Sequence, residues 1–208
     1  MGKRIMHELK VHAPFTALGA LSGIVVVVVI ALVGATHRVP ESVFHTLHPA
    51  HVFLSAIATT AVYRRYGKGR IWAAVLVGWT GAIGIGTVSD ALMPYLGGTL
   101  LGAEMEFHVP FIEEWWISLV ALAGVGISLW KQKTKIPHFG HVLLSTWASL
   151  FYLITYGEAN WLPLLPFIFL ILFLAVWIPC CMSDIVYPLL FVGRDHEPSM
   201  TEMHDVAH

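Results

Sequence analysis

Apolar residues fall into six runs separated by short polar connections, at about residues 14–35, 49–66, 71–96, 110–130, 138–156 and 161–192. A bilayer core about 30 Å thick takes roughly 20 residues of helix, so each run predicts a transmembrane helix. The last run holds Pro163, Pro166, Pro179 and Pro188. It is expected to be kinked or broken, because proline removes a helical donor and crowds the preceding turn. The third run carries Gly78, Gly81, Gly84 and Gly86, a spacing that lets a neighbouring backbone approach closely. The pattern predicts an all-α polytopic membrane protein of six helices, forming one domain. Val33-Gly34-Ala35 resembles a signal-peptidase site. The apolar run before it is too long for a signal peptide, so it is expected to remain as a span.

The runs are related to one another. Residues 51–67 (HVFLSAIATTAVYRRYG) reappear as residues 141–157 (HVLLSTWASLFYLITYG). SDALMPYL at 89–96 returns as SDIVYPLL at 183–190, and HAPF at 12–15 as HVPF at 108–111. Repeat one covers about residues 10–98 and repeat two about 106–193, with a tail at 194–208. Each repeat holds three spans. Three is odd, so the second repeat is expected to enter the bilayer with the opposite orientation, as in carriers whose site lies between inverted halves.

Composition and charge sharpen this picture. The chain is 57% hydrophobic and 12% charged, more apolar than a soluble fold can bury. A net charge of -1 gives no reason to expect nucleic acid. The basic residues sort by side: Lys3, Arg4, Lys10, Arg64, Arg65, Lys68, Arg70, Lys131, Lys133, Lys135 and Arg194 all fall on one face of the six-span arrangement, and only Arg38 on the other. The positive-inside rule then sets both termini in the cytoplasm of a plasma-membrane protein. Cys180 and Cys181 are adjacent within an apolar run. They make neither a zinc-finger spacing nor a disulfide framework and read as packing residues. A homodimer would shield polar helix faces.

The polar marks carry the candidate chemistry. With the runs threaded alternately, the outer face collects His51, Asp90 and His108, joined by His48, Glu113 and Glu114; the inner face collects His12, His141 and Asp184. Imidazoles with a carboxylate suit a divalent transition metal (Zn, Fe, Mn, Co or Ni) better than calcium or magnesium. An aspartate inside a membrane costs at least ~3 kcal/mol on insertion scales. The chain carries two, as Ser89-Asp90 with Pro94 and Ser183-Asp184 with Pro188. The prolines are expected to free carbonyls beside each Asp for an ion pathway. His37, His45, His138, His196, His204 and His208 read as interfacial residues. These marks predict a transporter or channel for a divalent metal ion. The alternatives are a membrane metalloenzyme using His45, His48, His51, His108, Glu113 and Glu114 at the outer face, a b-haem anchor, and an organic-solute carrier. For haem, His51 could pair with His108, or His12 with His141. His51 and His141 are expected at opposite faces.

Overall fold

A computed structural model describes residues 2–34, 39–66, 70–131 and 138–192. His37, Arg38, Lys68, Lys133, Lys135, Arg194 and the tail histidines lie outside them. The described chain is mostly helical. It runs α1 (Gly2–Leu32), α2 (Glu41–Tyr66), α3 (Ile71–Thr87), a π-helical turn π1 (Val88–Leu92), α4 (Met93–Leu100), β1 (Glu104–Met105), α5 (Pro110–Glu113) and α6 (Trp116–Trp130). It continues through α7 (His138–Thr155), β2 (Gly157–Glu158), a 3-10 turn at Leu162–Leu164, α8 (Leu165–Cys181), π2 (Met182–Val186) and α9 (Tyr187–Leu190).

Every predicted run is helical, but only three described stretches are long and apolar enough to cross a membrane: His12–Leu32, Ile71–Leu100 and Leu162–Cys180. Helices Trp116–Trp130 and Gly140–Thr155 are apolar but shorter. α2 is long but polar, and its position explains why. It packs against α3, α6 and α7 as well as π2 and α9, and burial runs all round it, from Phe44 and His48 to Thr60 and Tyr63. A helix wrapped by other helices has no need of a lipid-facing surface.

The molecule is apolar outside and polar within. Leu18, Leu21, Val25 and Val29 of α1 and Phe167 and Leu170 of α8 are exposed, whereas His48, His51, Ser55, Thr59, Asp90, Ser145 and Ser149 are buried. Water would not tolerate that distribution; a bilayer favours it, since intramembrane polar groups face the bundle interior. Trp115 and Trp116 flank one end of α6 and an exposed Trp130 closes the other, as interfacial aromatic belts do.

The first helix of each repeat packs with the other repeat. Ala20 and Val27 of α1 share a core with Leu150 and Leu153 of α7 and with Ile168 and Leu172 of α8. Ile117, Ala121 and Val125 of α6 share one with Val52 and Ala56 of α2 and with Ala82 and Ile83 of α3. The packed units are therefore α1–α7–α8 and α6–α2–α3. The second relies on Gly124, where a Cβ would stand 2.6 Å from the Phe53 carbonyl oxygen of α2. Backbone cannot rotate away as a side chain can. Gly124→Leu should therefore lose more than about 2 kcal/mol and lower the thermal midpoint in detergent sharply. Gly126→Leu, with nothing within 4 Å of its Cβ, should leave the midpoint unchanged. Equal midpoints would mean that α6 and α2 do not meet here.

Span six is predicted to be kinked or broken at its prolines. The outcome in both halves is a π turn: π1 and π2 fall on the repeated Ser-Asp, each just before its proline-bearing helix. In π1 the Met93 N–H donates to the Val88 carbonyl, five residues back. In that register Pro94 would have bonded the Ser89 carbonyl, but proline has no N–H.

Candidate metal centre

The two freed carbonyls are satisfied by hydroxyls from the opposite repeat. Ser149 Oγ of α7 donates to the Ser89 carbonyl at 3.0 Å, and Thr59 Oγ1 of α2 donates to the Ser183 carbonyl at 3.2 Å. Ser145 and Ser89 Oγ are 3.4 Å apart; Ser55 and Ser183 Oγ are 3.0 Å apart. Ser55 and Thr59 occupy the same places in the repeat as Ser145 and Ser149, so the contacts are reciprocal. These carbonyls thus meet protein hydroxyls, where the sequence suggested an ion pathway.

The same two helices bring their histidines together. The His51 and His141 rings lie side by side, with centroids 4.6 Å apart. This corrects the expectation that they stand at opposite faces. The reason is the start of α2, at Glu41 rather than near residue 49. At 1.5 Å per residue, His51 lies about 15 Å along the helix, deep in the bundle. One ligand atom each from His51, His141 and Cys180 gather within 4.8 Å of one another, all three residues being buried. This is the sole group of its kind among the described residues. Cys180, read from sequence as packing, belongs to it.

Asp90 supports this group from behind. Its Oδ2 accepts from His51 Nδ1 at 2.6 Å and His48 Nδ1 at 2.9 Å. Its Oδ1 accepts from Ser89 Oγ at 2.7 Å and Ser145 Oγ at 2.9 Å. A carboxylate only accepts, so both Nδ1 atoms are the donors; in a neutral ring that leaves Nε2 as the acceptor. Neither His48 Nε2 nor His51 Nε2, each buried, has a hydrogen-bond partner. A carboxylate holding an imidazole by one nitrogen while the other faces a ligand is the arrangement found behind metal-bound histidines. Asp90 is thus a support for the imidazoles rather than a member of the three-ligand group.

His108 stands apart from this centre, in a second cluster at one end of the bundle. Its Nδ1 is 2.9 Å from Glu113 Oε2, and its ring stacks on Tyr156 with centroids 4.7 Å apart. His45 approaches His108 at 5.3 Å between ring centres, with its Nδ1 2.8 Å from Glu114 Oε1 and its Nε2 3.0 Å from Tyr156 Oη. His45 is thus no lone interfacial residue. Phe44 separates the clusters, stacking on His48 and meeting His108 edge-on. Pairing of β1 with β2 closes this end. The expected outer set of His51, Asp90 and His108 is therefore split: the first two touch, and the third joins Glu113, Glu114 and His45.

His12 is buried on α1 but does not join the three-ligand group. The Asp184 side chain lies outside the description. For a haem, rings at 4.6 Å leave no room for a porphyrin between His51 and His141. No family model matches the chain, and no curated protein or solved structure is significantly similar to it.

Proposed function

We propose that the chain is an integral membrane carrier for a transition-metal ion, with six spans in two inverted triplets and both termini in the cytoplasm. The observation that carries this reading is the buried meeting of His51, His141 and Cys180, two of them equivalent residues of the two repeats. A site on the pseudo-symmetry axis, flanked by π turns, is where inverted-repeat carriers bind their cargo. The reciprocal hydroxyl contacts at Ser89 and Ser183 support the inverted relation. The exposed apolar surface of α1 and α8 supports residence in a bilayer.

The moving bodies are then the packed units α1–α7–α8 and α6–α2–α3, not the sequence repeats themselves. Each unit contributes one histidine. Rocking one unit against the other opens the pair to alternate sides. The outer His45, His108, Glu113 and Glu114 attract cations to one mouth.

The test is ion flux into proteoliposomes containing the purified chain and an entrapped metal-sensitive dye. Reconstituted protein should carry at least one of Zn, Co, Ni, Mn or Fe faster than empty liposomes. No flux of any of these under either polarity of gradient would end the carrier reading. A second reading, a membrane metalloenzyme, draws on the acidic His45–His108 cluster with its buried Tyr152 and Tyr156. Metal held at that cluster without flux would favour it.

A further inference from the structure

Cys180 is the one ligand of the central group that the repeat does not duplicate. Three residues before each Ser-Asp stands Cys180 in one half and Gly86 in the other. His51 and His141 are a symmetric pair; the sulfur is an addition on one side.

We propose that this sulfur sets the cargo: the centre selects a thiophilic divalent ion of the zinc type over manganese, ferrous iron and the alkaline earths. The proposal rests on the carrier reading of the same site. Three observations carry it. The thiol lies within 4.8 Å of both histidine ligand atoms in a buried group. His51 Nε2, on a residue 2% exposed, has no hydrogen-bond partner, while its Nδ1 is fixed on Asp90. Third is the charge. A coordinating thiol gives up its proton, so Cys180 and Asp90 together supply two negative charges. Two charges balance a divalent ion in a low-dielectric interior; a cuprous ion would leave an excess negative charge there. Thiolate with imidazole favours zinc-like ions, whereas manganese and magnesium prefer oxygen shells.

Zinc–nitrogen and zinc–sulfur bonds of about 2.0 and 2.3 Å put ligand atoms closer together than 4.8 Å. Ligand atoms gathered within 4.8 Å of one another are within reach of a single such ion.

The experiment uses the full-length chain in detergent, with Cys181→Ser as background to remove the neighbouring thiol. Cobalt(II) is the spectroscopic probe. The background protein should show a sulfur-to-cobalt charge-transfer band as well as ligand-field bands of tetrahedral cobalt. Adding Cys180→Ser should abolish the charge-transfer band. Equilibrium dialysis should then show cadmium and zinc affinity falling at least about tenfold, the least expected when even an outer-shell partner costs that much. Manganese binding should stay within about twofold. Cobalt bound without a charge-transfer band in the background protein overturns the proposal even if Cys180→Ser fails to fold. So does an equal loss for all three ions. Either result leaves the His51–His141 site standing. Failure of the background protein to bind zinc, cadmium, cobalt or manganese overturns both readings.

Discussion

Asp90→Asn is expected to leave the fold intact and to weaken metal binding by roughly 10- to 100-fold, the usual cost of losing a carboxylate behind a metal-bound histidine. The geometry separates the two effects. Asp90 accepts from four donors, His48 Nδ1, His51 Nδ1, Ser89 Oγ and Ser145 Oγ. An asparagine can turn its oxygen to the imidazoles and its amide to the hydroxyls, which rotate to accept. Every donor keeps a partner, and only the negative charge is lost. That charge makes the His51 imidazole a better donor of electrons to a metal and balances the ion. Asp90→Ala is different. It leaves both imidazole N–H groups without an acceptor in the interior, while Ser89 Oγ keeps the Gly86 carbonyl and Ser145 Oγ keeps Ser89 Oγ; the loss is at least about 3 kcal/mol and should unfold much of the protein in detergent. Thermal melts by size-exclusion chromatography separate the variants, and dialysis against zinc measures the affinity. Undiminished zinc binding by Asp90→Asn would reduce Asp90 to a structural hydrogen bonder.

The helices were legible because lipid-facing runs must be apolar, and α1, α3 and α8 are. The start of α2 was not. The segment ESVFHTLH at residues 41–48 looks like a polar connection, and hydropathy cannot tell a loop from a helix wholly surrounded by protein. That one misplacement moved His51 from the interior to a surface. With it went the meeting of His51 and His141, and two half-sites were expected where the two imidazoles lie side by side.

The repeat was a better guide to equivalence than to contact. It identified which residues correspond, including Ser55 with Ser145 and Thr59 with Ser149. It held no sign that α1 and α6 exchange partners between halves, because that is decided by side chains distant in sequence, such as Ala20 against Leu172. Cys180 had a signal that could have been read, its alignment with Gly86 just ahead of the Ser-Asp. Cys180 does pack, with Val142 and Val176, but a thiol replacing a small residue on one side of a symmetric pair also marks a candidate ligand. His45 was visible in the spacing His45, His48, His51, but its partners Glu114 and Tyr156 come from other helices. Spacing along one helix cannot supply them.

His51→Gln and His141→Gln are each expected to remove the same bound ion, and the double variant to be no worse than either. The prediction separates one shared centre from two surface sites. If the imidazoles served opposite faces, the wild type would bind an ion at each, and each single variant would keep the other. With rings 4.6 Å apart and the Cys180 thiol of α8 within 4.8 Å of both ligand atoms, both are expected to serve one ion. Loss of one imidazole leaves a single imidazole and a thiolate, too few ligands for a tetrahedral cation, so affinity should fall by more than about 100-fold. Substitutions in one ligand set are strongly non-additive, because the second removes a contact already lost. Metal content after dialysis gives the stoichiometry; flux in proteoliposomes gives the consequence. Both single variants should be empty and inactive. His108→Gln, in the outer cluster with Glu113, should retain the central ion and lose only part of the rate, through weaker capture at the mouth. A bound equivalent surviving in either single variant, or losses that multiply in the double, would mean that the two histidines work apart.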